Sequence, residues 1–472
     1  MIQWLKSRWQ ILLALVICFL IPWCVLQSTE ALEPMGDSWT YTQLAKAFEE
    51  QGLFDFAAYA QANGNSFRGV VFPWIIALCN RTLGYEVWNC LLMAYVFAVA
   101  LPRLMELVFS VKIAGWRRPL VAGLFTLLFQ GLVVYVLTDL WAAALAIAAM
   151  TALLEGTRME ETALWKRLLF LGASGLCLAL AYNIRTIYLL LWMTAAVCLL
   201  ILMLVRRQLR WPLRLLWPVA LAVGLLAGSL PQMMVNQYAF HQPSPLLLSD
   251  NGANLFANQL YNGIYEQKYE TNGNSEYWDD GLDFLDPAGL EILEREAMTP
   301  EFRFEEGAEY LPGVGDYLAL VLQHPLDFAG ILGRHLVNML DIRYPMIFLE
   351  DTEPNPLYPA VNYPALYLGL AAFVLWMQRM KKQEVARTLI LPALLLPTLA
   401  ICAGAVEPRF GVMLQLVLWA CLCYLPDRKM LHGLRVRDWV LLAAGLVLFI
   451  CGMTAIGGSA MMNLEDYPIL YQ

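Results

Sequence analysis

The sequence predicts an all-α polytopic membrane protein. Of its 472 residues 60% are hydrophobic and only 15% charged, the mean hydropathy is +0.55, and apolar runs of membrane-spanning length recur along the chain. Soluble globular chains hold nearer ~45–50% apolar and ~25% charged residues. A hydrocarbon layer about 30 Å thick needs roughly 20 apolar residues per spanning helix.

About eleven such runs are expected as spans, at 11–27, 88–109, 119–137, 139–155, 167–182, 186–205, 212–232, 360–378, 387–406, 409–426 and 438–458. Lys6 and Arg8 precede the first, which reads as a retained helix because no small-residue cleavage site follows Leu26. Orientation follows from the basic loops, since cytoplasmic loops keep an excess of Lys and Arg. Lys6/Arg8, Lys112/Arg117/Arg118, Arg158/Lys166/Arg167, Arg206/Arg207/Arg210/Arg214, Arg379/Lys381/Lys382/Arg387 and Arg428/Lys429/Arg435/Arg437 fall on one side when eleven spans are threaded. That places the N-terminus in the cytoplasm, and the C-terminus and the loop 233–359 outside it.

The expected organisation is a transmembrane core, 1–232, containing the first external loop at 28–87; an acidic extracytoplasmic segment, 233–359; and C-terminal transmembrane helices, 360–472. Aromatic residues in 233–359, among them Tyr261, Tyr265, Tyr277, Trp278, Phe302 and Tyr310, argue for a folded segment. Short helices are expected there at 318–322, 328–332 and 336–340.

The ten cysteines lie almost entirely in or beside apolar runs, and the four histidines show no ligand spacing. No cofactor is expected, and a divalent metal is not indicated. The acidic run Asp279–Asp286 lacks the spacing of an EF-hand loop. The sequence has no P-loop, dinucleotide fingerprint or nucleotide-sugar motif, and no nucleic-acid partner is expected.

Chemistry is left to polar residues at the outer boundary. After the first span come Glu33, Pro34, Met35, Gly36, Asp37, Ser38 and Trp39. Tyr41, Leu44, Ala45 and Phe48 follow at helical spacing, with Gln43, Lys46, Glu49 and Glu50 opposite. This is the pattern of an amphipathic interfacial helix. Gly52 is placed to end it; a loop rich in Ala, Asn and Gly leads to Arg68 and Pro73, and a second apolar helix, too short to span, closes at Gly84.

This first loop resembles that of the GT-C membrane glycosyltransferases, the superfamily of protein O-mannosyltransferases and lipid A aminoarabinose transferases. Thr138-Asp139 opens the fourth span, Asn183-Ile184-Arg185 ends the fifth, Pro231 to Asn236 leads into Leu248-Ser249-Asp250-Asn251-Gly252, and Glu407-Pro408-Arg409-Phe410 resembles the family's Glu-x-Arg-Tyr element. Gly69-Val70-Val71 stand where family members often carry consecutive prolines, Phe410 stands for Tyr, and one acid stands at 37 where O-mannosyltransferases have two.

The resemblance implies a GT-C-like fold with interfacial helices in the first loop, and transfer of a sugar from a polyprenyl phosphate to an acceptor hydroxyl at the extracytoplasmic face, with inversion. Asp37 would be the general base. Asp139, Arg68, Arg185, Glu407 and Arg409 would bind substrate, the arginines facing the anionic leaving group. Lipid, glycan and protein acceptors all stay open. A bacterial plasma membrane fits the compact chain, and an endoplasmic-reticulum membrane gives the same topology.

Each residue also has a plainer reading. Asp37 suits a helix N-cap, Asp139 a tight turn, and Arg185 and Arg409 interfacial anchors. The alternative function is a transporter or flippase of lipid-linked saccharides. Transporters usually show internal repeats and midplane sites; this sequence shows neither, its outer-boundary charges favouring the enzyme. A third reading, an assembly protein whose external loop binds a partner, makes Asp37 dispensable.

Overall fold

Apolar runs fold as helices because backbone amides in hydrocarbon have no water to bond and must satisfy one another along the chain. The computed structural model describes residues 2–28, 36–64, 68–113, 116–133, 136–158, 164–205, 211–249, 252–270, 282–296, 313–342, 355–380 and 385–466. The helices are α1 (Ile2–Ser28), α2 (Gly36–Gln51), α3 (Phe56–Asn63), α4 (Val71–Asn80), α5 (Tyr85–Tyr95), α6 (Leu101–Phe109), α7 (Arg117–Phe129), α8 (Thr138–Arg158), α9 (Leu164–Ile184), α10 (Leu189–Val205) and α11 (Trp211–Phe240). There follow α12 (Gly252–Tyr265), the strands β1 (Glu266–Glu270) and β2 (Leu282–Leu285), and α13 (Pro287–Arg295), α14 (Val314–Gln323), α15 (Pro325–Leu340), α16 (Leu357–Met377), α17 (Val385–Thr388), α18 (Ile390–Ile401), α19 (Val412–Tyr424), α20 (Arg428–His432) and α21 (Val436–Asp466).

Eight helical stretches among the described residues are long and apolar enough to cross a bilayer, from Trp9–Ser28 to Val436–Gly457. The chain is an integral membrane protein. The three other expected spans coincide with shorter helices. At 119–137, α7 gives way to a 3-10 turn at Gln130–Val133; at 387–406 and 409–426 stand Ala386–Ile401 and Pro408–Tyr424. The first external loop departs from expectation in one element. Its Ala-rich stretch folds as α3, because Asp55 accepts a bond from Ala58 N at 2.9 Å and Phe56 and Tyr59 pack their rings against Phe48.

The expected short helices at 328–332 and 336–340 merge into α15, and β1 pairs antiparallel with β2, Lys268 opposite Phe284 and Glu270 opposite Leu282. Glu33, Arg206, Arg207, Arg210, Asp250, Asn251, Tyr277, Trp278, Asp279, Asp280, Gly281, Phe302, Phe304, Tyr310, Lys381 and Lys382 lie outside the described residues.

The chain clusters into two compact units. The first comprises Met1–Ser249, Gly369–Pro397 and Leu416–Gly433; the second, Asp250–Leu368, Thr398–Gln415 and Leu434–Gln472.

In the first unit α9 and α11 pack most closely, and glycine is the reason. A Cβ on Gly224 would lie 1.9 Å from Gly172 O, and one on Gly175 2.0 Å from Leu221 O. With no hydrophobic drive between helices in lipid, such close backbone approach is what holds them. A π turn at Val96–Ala100 joins α5 to α6, and the carbonyl of Ala98 accepts a bond from Arg118 at 3.1 Å. Arg118 also pairs with Glu106, and Arg103 with Glu106 and Glu155. At 1.5 Å per residue this network lies about 24 Å along α8 from Asp139.

The second unit packs Tyr261, Ile264, Tyr265, Ile292, Tyr317, Phe328 and Ile331 as its core. Asp286, fully buried, caps α13 through Ala288 N and Gly289 N and pairs with Arg334 at 2.5 Å. His335, also fully buried, sets its ring nitrogens 2.7 Å from Cys402 O and 3.0 Å from Glu266 O. Burial lowers its pKa from the usual 6.5, although both carbonyls favour the cation.

Two measurements test this packing. Gly224→Leu must part α9 from α11, and thermal unfolding in detergent should show a loss of ~1–3 kcal/mol or more. The depressed imidazole of His335 means that the unfolded chain binds the extra proton more readily. Its contribution is therefore complete above pH 6.5 and declines as pH falls through the window between 6.5 and the lowered folded value. Unfolding scans from about pH 7.5 downwards should show that acid loss, reduced in His335→Gln.

Candidate active site

The site is built from three meeting places in the first unit: the start of α2, the Arg68–Val70 turn before α4, and the ends of α8 and α9. Gly52, at φ +127°, takes the chain out of α2 after Gln51, and Arg81 donates to the Phe48 and Glu49 carbonyls at 2.9 Å each, fixing that end of the helix. Its other end presents Asp37 and Ser38. Ser38 Oγ donates to Val136 O at 3.2 Å, tying the start of α2 to the segment that leads into α8 and Asp139.

Arg68 is the partner of Asp37, with Nη2 2.5 Å from Oδ1. The same guanidinium donates to Tyr41 Oη at 3.3 Å and stands 5.2 Å from the centre of the Tyr41 ring. Phe72 meets that ring edge-on at 4.9 Å. The Arg68 main chain is held too: Tyr59 Oη donates at 3.2 Å to the carbonyls of Arg68 and Gly69, and Asn63 Nδ2 reaches the first at 3.3 Å.

Asp139, in the first turn of α8, is buried and ion-paired with Arg185, one residue past the end of α9. Gly69 brings the two arginines' segments together. A Cβ at that position would lie 1.9 Å from Asn183 O, so only glycine lets the Arg68 turn close against the end of α9.

Burial raises the pKa of Tyr41, and the Asp37 charge adds to it, against the opposing fields of Arg68 and Arg185. Burial disfavours the Arg68 cation, but Tyr41 and Asp37 outweigh it and the net shift is upwards. Tyr41 is thus a neutral phenol and Arg68 a cation. The Asp37 and Arg68 side chains keep 36% and 24% of their exposure, whereas Asp139 keeps 3%. Arg185 keeps 19%, so both guanidinium groups and the Asp37 carboxylate are partly open and only Asp139 is sealed.

Asp37, Arg68, Asp139 and Arg185 therefore gather in the first unit. Glu407 and Arg409 belong to the second unit, where they form a fork: Arg409 Nε donates to Oε2 at 2.6 Å and Nη2 to Oε1 at 2.9 Å. Phe410 lies 5.3 Å from that guanidinium. Among the described residues no group of three or more His, Cys, Asp or Glu is arranged to hold a metal ion. Sequence reasoning missed Tyr59, Asn63 and Gly69, which hold the Arg68 turn. A tyrosine and an asparagine four residues apart in an Ala-rich stretch were the available signal.

No protein-family model matches the chain, and no curated protein matches it. Among solved structures it is similar to the apo oligosaccharyltransferase of Archaeoglobus fulgidus, at 14% identity and a TM-score of 0.41. The likeness covers 98% of this chain and 55% of the archaeal one, so this chain spans about half the length of that protein.

The difference in burial predicts a difference in cost. Asp139→Ala leaves Arg185 uncompensated and should destabilise the protein by ~3–5 kcal/mol. Asp37→Ala, at the open pair, should cost about 1 kcal/mol or less. Denaturant unfolding of both variants in detergent micelles checks the order.

Proposed function

We propose that this chain is a GT-C-type glycosyltransferase that moves a sugar from a polyprenyl-phosphate donor to an acceptor hydroxyl at the extracytoplasmic membrane face. The observation that carries the reading is the convergence of two carboxylate–guanidinium pairs, Asp37–Arg68 and Asp139–Arg185, where α2, α8 and α9 meet the Arg68 turn. Charges at the ends of apolar helices are costly and mark functional sites more often than surface charges do. The orientation follows the basic loops: the N-terminus in the cytoplasm, the C-terminus and this site outside it, in a bacterial plasma membrane.

The chemistry follows from the charges. The acceptor oxygen attacks the anomeric carbon from the face opposite the phosphate, the carbon–oxygen bond to phosphate breaks, and its electron pair leaves with the lipid phosphate. The acceptor's proton passes to Asp37, and the configuration inverts. Arg68 and Arg185 meet the charge that grows on the leaving phosphate.

Arg68 has a second task in this scheme. A neighbouring guanidinium favours the charged carboxylate and so weakens it as a base. A phosphate that draws Arg68 towards itself releases the Asp37 carboxylate to face the acceptor only once donor is present. Asp139 holds Arg185 in place from its sealed position. Glu407 and Arg409 are assigned substrate contacts of their own. The partners are then a polyprenyl-phosphate sugar, a lipid, glycan or protein acceptor and the surrounding membrane lipids, with no nucleic acid and no cofactor.

The test is transfer of labelled sugar from a panel of polyprenyl-phosphate sugars by protein in lipid nanodiscs, wild type against Asp37→Asn. The variant keeps the size of the side chain and removes the base, and its turnover should fall by ~10²–10⁴-fold. Equal turnover in both removes Asp37 from the mechanism. No turnover with any donor turns the reading towards the transporter.

A further inference from the structure

Gln232 and Asn236 are buried amides one turn apart on α11, at 1% and 0% exposure. Their bonds run in one direction. Val70 N–H donates to Gln232 Oε1 at 3.1 Å, Gln232 Nε2 donates to Asn236 Oδ1 at 3.0 Å, and Asn236 Nδ2 donates to the carbonyls of Ser244 at 2.8 Å and Leu246 at 2.6 Å. Each amide is thereby fixed in one orientation, since reversing either would set like groups against each other.

The far end of this relay matters as much as the near one. Leu247 N–H, beside the relay's last acceptor, donates to Tyr182 Oη at 2.9 Å. Tyr182 precedes Asn183, whose carbonyl fills the space beside Gly69, and stands three residues before Arg185. Val70, at the relay's start, is two residues after Arg68. The segment 244–247 is therefore linked to the turn that carries Arg68 through Asn236 and Gln232, and bonded directly to Tyr182 near the helix end that leads to Arg185.

We propose that Gln232 is a positioning residue, its relay through Asn236 clamping both arginine-bearing segments to the common segment 244–247 so that Arg68 and Arg185 reach one polyprenyl phosphate together. The assignment rests on the function proposed above. It also predicts that a disturbance of 244–247 reaches both arginines, because that segment is tied to one of them through the relay and to the other through Tyr182.

The experiment uses full-length protein in nanodiscs, undecaprenyl phosphate as the binding probe, and backbone amide exchange as a readout that needs no ligand. Gln232→Leu removes the acceptor and the donor; Gln232→Glu, when protonated, supplies one of each. Gln232→Leu should bind the probe at least tenfold more weakly than wild type at a temperature below the unfolding transition of both. Gln232→Glu should bind like wild type at low pH and fall progressively below wild type measured at the same pH as pH rises, which cancels the probe's own titration.

In Gln232→Leu, exchange should rise together in the segments 68–72 and 242–248 and stay unchanged in α8. Wild-type affinity in Gln232→Leu, or faster exchange confined to one of the two segments, overturns the clamp. The double variant Arg68→Ala/Arg185→Ala separates the two claims. Binding that it loses and Gln232→Leu keeps leaves the functional reading standing and removes the relay's part in it. A wild type that does not bind the probe removes the functional reading, and the exchange data still decide whether the relay couples the segments.

Discussion

Charge in a chain this apolar must be paired, and that requirement organises the first unit. An isolated ion removed from water costs several kcal/mol even after relaxation. Asp139, all but sealed, is accordingly matched by Arg185, and Arg68, largely buried, by Asp37 and Tyr41. Each carboxylate starts a helix and each guanidinium sits on a turn or just past a helix end. The pairs can form only if α2, α8, α9 and the Arg68 turn converge. Much of the local architecture serves that convergence.

The means are short-range and steric. Gly172, Gly175 and Gly224 let α9 and α11 approach to backbone contact. Gly69 allows the Arg68 turn to close on Asn183. Tyr59 and Asn63, on α3, hold that turn from the other side. The remaining exposure of Asp37 and Arg68 gives the outer pair access to a ligand, while Asp139 stays enclosed. Asp139 thus holds its arginine from an enclosed position, while both guanidinium groups keep a partly open face.

Much of this was legible in the sequence, and what was not has identifiable causes. Hydropathy located the long helices, because twenty apolar residues admit few alternatives, and Gly52 marked the end of α2 through its backbone freedom. The pairing of Asp37 with Arg68 spans 31 residues, and that of Asp139 with Arg185 joins two different helices. Composition and spacing give the charges and the boundary they occupy; which charges meet is decided by the close packing of helices. Helix α3 was read as a loop because its alanines and asparagine suit either state, and the contacts of Phe56 and Tyr59 with Phe48 decide between them. The short helices α18 and α19 show the opposite limit. Their apolar runs continue through a turn bearing Gly404 and Pro408, which hydropathy does not weigh.

The central claim is that Arg68 and Arg185 receive the phosphate of a lipid donor. The most direct measurement is a cryo-electron microscopy structure of the protein in nanodiscs with a non-cleavable polyprenyl phosphonate. The account predicts phosphonate density within hydrogen-bond distance of both guanidinium groups, with Asp37 released from Arg68 and facing the position of the sugar's first carbon. A phosphonate bound away from both arginines, with the Asp37–Arg68 pair unchanged, would contradict it.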